Sequence, residues 1–343
     1  MLFSINQYSS GRMQAKRQRP IICNALFTPP WLKSASSNLT EYKMPSSLSY
    51  GVELEFLFPQ HYSRADVEKT MRKTKWRVKT DDSIVGAGLA LEINSPVLTG
   101  TSGFQSIVKA CRAAGALCPQ LNWSTACHIH VGRDGSYWQL RQLQNLCANF
   151  IEMEESFDAL CPAYRKDSPY ARSNKKLLLD NNLAIQSLLA TTSTEQLINL
   201  FNPGGTQGCR YFKLNLRSLG RHNTVEFRQF AGTSSAEEVA GITALCVWFA
   251  ILAGERIGAL PKQERGPPAR EGRNLRSRGR NKAALELNHV FSSRGVLALS
   301  PAAFHNTAPY SPVQQVQQLL TFLEPAGQDL ADFVSTRAAS QSI

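Results

Sequence analysis

The sequence predicts an α+β fold, and three observations predict it. Short runs rich in Val, Ile and Phe alternate with period two and end at Pro, Asn or Gly clusters, as strands do. Longer runs carry apolar residues at helical spacing between and after them. Two strand runs, 210–216 and 224–230, flank the turn residues Gly220–Asn223 and read as an antiparallel β-hairpin. With 343 residues and 43% hydrophobic content, the chain has material for a large core in one or two domains.

Taken in order, residues 1–45 are polar, basic and rich in Ser and Pro, and read as a disordered tail. The run Tyr50-Gly-Val-Glu-Leu-Glu-Phe-Leu-Phe58 is a strand closed by Pro59. Glu53 and Glu55 are two apart and share one face; Val52, Leu54 and Phe56 take the other. Two acids side by side in an apolar strand repel each other, and a cation beside them removes the conflict; a sheet with one wet face explains them as well. Residues 65–73 read as a helix, 76–79 as a short strand, and Asp81-Asp82-Ser83 as a turn. Residues 89–93 form the next strand, closed by Asn94-Ser95-Pro96, with Glu92 a lone acid on it. Residues 103–115 have helical spacing in Phe104, Ile107, Val108 and Cys111.

The run Cys127-His-Ile-His-Val-Gly132 is a strand with His128 and His130 on one face, a spacing suited to metal or phosphate contact. Residues 136–160 form a long amphipathic helix whose Glu152, Glu154 and Glu155 read as surface charges. A polar loop follows with Arg165, Tyr170, Arg172, Lys175 and Lys176, facing either a substrate or solvent. Residues 177–190 read as one helix and 193–201 as another, capped by Ser193 with Gln196. In the hairpin Glu226 and Arg228 share a face, as a salt bridge or as site residues. An apolar helix spans 235–259, and 312–324 and 328–339 are helices that pack back on the core. The expected organisation is a tail over 1–45, a core over 46–260, a disordered basic insertion over 261–290 and C-terminal helices over 291–343.

The net charge of +12 is unevenly spread. Residues 1–40 hold five basic residues and no acid, and residues 261–282 hold eight basic and two acidic ones, leaving +1 for everything else. The excess lies in segments that read as unfolded, which argues against a structured nucleic-acid face and leaves weak contact through basic tails. No stretch of 18 or more apolar residues calls for a membrane, and the eight Cys lack metal-type spacing, which suits a reducing compartment. A cytoplasmic location is expected; the Arg and Ser content of the acid-free N-terminus also fits a mitochondrial transit peptide.

Glu53, Glu55, Glu92, His128, His130, Glu226 and Arg228 all fall on the polar faces of predicted strands. Four carboxylates and an imidazole are hard ligands suited to Mg²⁺ or Mn²⁺, and the remaining His and the Arg can take phosphate charge. Neither a Gly-x-x-x-x-Gly-Lys-Ser/Thr nor a Gly-x-Gly-x-x-Gly loop is present.

Six motifs in order now resemble the amidoligase family, which is similar to glutamine synthetase and glutamate–cysteine ligase. They are Gly51-Val-Glu-Leu-Glu-Phe56, Trp76 with Asp81-Asp-Ser83, Glu92-Ile-Asn-Ser-Pro96, His128-Ile-His-Val-Gly132, Arg210-Tyr211 with Asn215-Leu216, and Val225-Glu-Phe-Arg-Gln-Phe-Ala-Gly-Thr233. The resemblance covers about residues 50–252. One departure is Ala126, where the family tends to have Gly. The resemblance implies an antiparallel sheet curved into a half-funnel, with helices behind it and two divalent metals on its open face. Glu55 and Glu92 would hold one metal, and Glu53, His128 and Glu226 the other. His130 would touch ATP phosphate and Arg228 the γ-phosphoryl group. The implied reaction is ATP-dependent joining of a carboxylate, small or peptidic, to an amine through an acyl-phosphate. The competing expectations are a non-catalytic binding protein on the same scaffold, an RNA-associated protein using its basic tails, and a metal-dependent hydrolase.

Overall fold

The computed structural model describes residues 44–45, 47–204, 210–255 and 311–341. The expected tail, apart from residues 44–45, and the basic insertion lie outside the described residues.

The strand runs form one open, antiparallel sheet. Its strands are β1 (Leu48–Phe58), β2 (Arg77–Thr80), β3 (Leu89–Asn94), β4 (Leu98–Thr99), β5 (Ala126–Arg133), β6 (Leu214–Asn215) and β7 (Thr224–Ala231). They are ordered β2-β3-β1-β5-β7-β6, with β4 pairing the start of β1. β1 is therefore central, with β3 on one side and β5 on the other. Period-two alternation then sorts the side chains: Val52, Leu54, Ile129 and Phe227 are buried on one face, and the acids and histidines occupy the other. Ala126 does not have positive φ, so the strand accepts the methyl group at that position.

Helices cover the apolar face. The first two are α1 (Arg64–Met71) and α2 (Ser102–Gly115); the longest are α3 (Leu140–Asp158) and α9 (Ala236–Glu255). α9 is apolar all round, which suits burial on all sides. It is long and apolar enough to cross a membrane by composition, but most of it is buried inside the fold against β1, β5, α2 and α3. Phe157 of α3 meets Phe249 of α9 edge-on at 4.9 Å, and both rings pack on Phe227 of β7. Asn145 and Asn149 of α3 donate to the carbonyls of Gly254 and Ala253 and tie down the end of α9.

Smaller helices link these layers: α4 (Ala163–Lys166), α5 (Asn174–Asp180), α6 (Ile185–Leu189), α7 (Thr194–Phe201) and α8 (Leu219–His222). The single helix expected over 177–190 is two pieces, because Asn182 adopts a left-handed φ of 53° and breaks the run. Ser193 caps α7 by accepting from the Gln196 N–H, as its spacing predicts. Two more helices, α10 (Pro312–Leu323) and α11 (Gln328–Gln341), pack on α3 and α9.

Glu154 corrects its surface reading. It is 2% exposed, and accepts from the Ser173 hydroxyl and the Lys175 N–H while Lys213 sits 3.3 Å away. Lys213 also holds Asp158 at 2.6 Å. A charge buried this deeply is tolerated because it is paired and hydrogen-bonded.

The hairpin is shorter than its alternation suggests. The paired strand is only Leu214 and Asn215, opposite Phe227 and Glu226, with Lys213 O accepting from Arg228 N at 2.8 Å just before it. Residues 211–213 also run beside Arg172, through main-chain bonds between Arg172 and both Tyr211 and Lys213. The outer edge of β6 is closed by side-chain amides: Asn174 and Asn202 both donate to Leu214 O, and their oxygens accept from Leu214 N and Leu216 N. A covered edge of this kind cannot recruit another strand.

Candidate metal centre on the sheet face

Strand register assembles the site. Glu53 stands opposite His128 on β5 and Asn94 on β3, and Glu55 stands opposite Glu92. His130 and Asn215 both stand opposite Glu226. All seven residues picked out from the sequence thus lie on adjacent strands.

They gather into two groups. Glu55, Asp81 and Glu92 each offer an oxygen within 4.8 Å of the others. Glu53, His130 and Glu226 do the same with two oxygens and a ring nitrogen. His128 stands between the groups: its Nδ1 lies 3.4 Å from Glu53 and 3.8 Å from Glu226, and its Nε2 lies 3.6 Å from Glu55. His130 Nε2 lies 3.3 Å from Glu53 and 3.8 Å from Glu226. Both imidazoles therefore face the Glu53–Glu226 pair, whereas the resemblance assigns only His128 to it.

Each carboxylate has a distinct environment. Burial raises the Glu53 carboxyl, but His128 and His130 outweigh it and hold the group well below its usual range. At Glu226 burial also raises, but Arg228, His130 and His128 together outweigh it, so this carboxylate too is held low. Asn215 donates to Glu226 at 2.6 Å, and the Arg228 guanidinium grips its other oxygen. Glu55 is the exception: burial pushes it up, with only partial relief from His128. It is 4% exposed, and no described residue donates a hydrogen bond to it. A buried carboxylate without a donor is what a divalent cation would satisfy, and the oxygen-rich donor set fits Mg²⁺ or Mn²⁺. Glu92 accepts from Asn94 at 2.6 Å, with Lys79 at 3.5 Å.

Arg228 is set by a β-bulge. Between the pairs Cys127–Phe230 and Ile129–Phe227, one residue of β5 faces two of β7, Arg228 and Gln229. Arg165 takes up the carbonyls left at this irregularity, donating to Arg228 O at 2.7 Å and to Gln229 O at 3.1 Å. Arg165 is 1% exposed, so it is neither substrate-facing nor solvated in the sense read from its polar loop. Arg228 is itself buried and stacks toward Tyr211 at 5.7 Å.

Two contributors were not singled out from the sequence. Asp81 was read as a turn residue, and it is one: its Oδ1 accepts from Ser83 N and Oγ. The same carboxylate also joins Glu55 and Glu92, and its place in the Asp-Asp-Ser motif was the available signal. Arg165 had no signal beyond its charge.

The fold and this face define a mixed helix-and-sheet protein with acids and imidazoles gathered on one side of an open antiparallel sheet. The chain belongs to the family described as "Putative amidoligase enzyme", whose profile matches residues 61–250, and membership gives it a ligase-type role. β1, with Glu53 and Glu55, precedes the matched residues. Among curated proteins no relative matches. A cryo-EM structure of Plasmodium falciparum glutamine synthetase aligns over 90% of this chain and 74% of its own, at 9% identity and a TM-score of 0.40, a likeness too distant to carry a functional reading.

Proposed function

We propose that the protein is an ATP-dependent carboxylate–amine ligase. The observation that carries this reading is the pairing of two hard-ligand groups on one sheet face with a buried guanidinium at their edge. Glu55, Glu92 and Asp81 would hold one divalent cation; Glu53, Glu226 and His128 would hold the other. Such cations neutralise phosphate charge and orient the triphosphate.

The chain's own residues account for the rest. Arg228 spends one nitrogen on Glu226, and its Nε is buried with no hydrogen-bond partner among the described residues. That leaves a rigid donor for an oxyanion developing on the γ-phosphoryl group. A substrate carboxylate oxygen would attack the γ-phosphorus as ADP leaves. An amine nitrogen would then attack the acyl carbon as inorganic phosphate leaves, with a proton lost from nitrogen. Glu53 and Glu226, held ionised, keep the site attractive to cations.

The test supplies Mg²⁺ and ATP with pools of amino acids and peptides. Amine-dependent release of ADP and phosphate in equal amounts, with an amide product in the mass spectrum, is the expected result. Nucleotide turnover indifferent to every amine, or none at all, overturns the reading.

A further inference from the structure

A single hydrogen bond does not fix the plane of a guanidinium. Arg228 bonds Glu226 from Nη1 to Oε1, while the Asn215 amide holds Oε2. A bidentate pair would lock the fork; one bond leaves it free to turn about that contact. The main chain of Arg228 is secured by Arg165 and Lys213, but those bonds do not reach the end of the side chain. The direction in which the buried, unpartnered Nε–H points therefore needs a second constraint.

That constraint is an aromatic ring. The Arg228 guanidinium lies over Tyr211, 5.7 Å from the ring centroid, within reach of a cation–π contact. Tyr211 is held in turn. Tyr170 meets it edge-on at 5.6 Å. Arg210 lies over the ring at 5.1 Å and donates to its hydroxyl at 3.2 Å. Arg172 donates to Tyr211 O from its main-chain N at 2.9 Å and from Nε at 3.3 Å. Its guanidinium also lies over Phe212 at 4.3 Å, which anchors the next residue. The bonds to Arg172 thus set Tyr170 and Tyr211 side by side at the Arg228 end of the site.

We propose that Tyr211 is a positioning residue: its ring fixes the guanidinium plane of Arg228, and with it the direction in which Nε–H is presented. What that donor meets rests on the ligase reading above; the hold of the ring on the guanidinium does not.

The experiment uses full-length protein labelled with ¹⁵N at arginine. The Nε–H signal lost in Arg228→Lys is that of Arg228. The wild type is expected to show this Nε–H ordered and slow to exchange, with a nuclear Overhauser contact between the Arg228 side chain and the Tyr211 ring. Tyr211→Leu should speed the exchange and lower amine-dependent turnover, each about tenfold, the worth of one cation–π contact out of water. The KM for ATP and the Mg²⁺ affinity should stay unchanged. Tyr211→Phe keeps the ring and loses only the hydroxyl, and should restore both readouts. An Arg228 Nε–H as ordered in Tyr211→Leu as in the wild type, or an equal defect in Tyr211→Phe, overturns the proposal. A wild type without the Overhauser contact overturns it whether or not Tyr211→Leu folds. Wild-type protein with the contact and the ordered Nε–H, but no nucleotide turnover with any amine, overturns the ligase reading alone, so the two failures are distinct.

Discussion

Asp81 shows how one side chain serves two purposes. One oxygen closes the turn with Ser83, and the carboxylate still reaches Glu55 and Glu92. Asp81→Asn keeps the turn, since the amide oxygen can still accept, but removes the negative charge. It should weaken one cation site by about tenfold or more and leave the other intact, as should Glu55→Gln. Mn²⁺ titration resolves the two sites, and an Asp81→Asn protein with both at full affinity would remove Asp81 from the set. Arg228 tests a different contact. An exposed Glu–Arg pair would tolerate Lys, but this one is buried, and a planar fork holding Glu226 while presenting a spare Nε–H has no lysine equivalent. Arg228→Lys is expected to lower kcat on the order of 100-fold with near-normal metal affinity and Tm. A kcat like wild type would end the phosphoryl role of Arg228.

Among elements, β7 is the one on which function turns. Its bulge places Arg228 and Gln229 together opposite a single residue of β5, and Arg165 of α4 satisfies the carbonyls exposed there. Arg165→Met fills a similar volume but leaves Arg228 O without its side-chain donor and Gln229 O with only the weak Cys161 thiol. Each unsatisfied carbonyl costs about 1–3 kcal/mol, offset in part because a buried guanidinium is no longer desolvated. A net loss of about 1–3 kcal/mol is expected in urea unfolding, with a larger relative loss in turnover because the bulge that aims Arg228 relaxes. Wild-type stability together with wild-type kcat would show that the bulge holds its shape without Arg165. The short β6 matters through the same strand, since Asn215 steadies Glu226 and the amides of Asn174 and Asn202 steady β6.

At the scale of the whole molecule, the C-terminal helices brace the core rather than the site. Arg337 of α11 donates to Leu160 O at 2.8 Å and pairs with Glu238 of α9. Phe333 packs against Gly241, where an added Cβ would sit 2.3 Å from its ring. Gly241→Val should therefore displace α11, costing about 1–3 kcal/mol through overpacking. A lower Tm and faster proteolysis near α11, with unchanged Mg²⁺ affinity, is the expected pattern; an unchanged Tm would mean that Phe333 does not rest there.

The sequence by itself determined the longer strands β1, β3, β5 and β7 and which side of each faces the site. Alternation with period two is a local property, so Glu53 with Glu55, His128 with His130, and Glu226 with Arg228 were sorted to one face before any strand was paired. The order of the motifs carried the family and the open sheet with helices behind it. Tertiary structure alone decided what depends on distance between remote segments. Glu154 was surface-like until Lys213 arrived from 59 residues away to neutralise it. Arg165 was a loop cation until the bulge offered it two carbonyls. The helix over 177–190 broke at Asn182, where a left-handed backbone interrupted an otherwise helical run. The placement of Ser218 and Thr224 against His130 Nδ1 also came from packing, because a hydroxyl 88 residues away has no local signature.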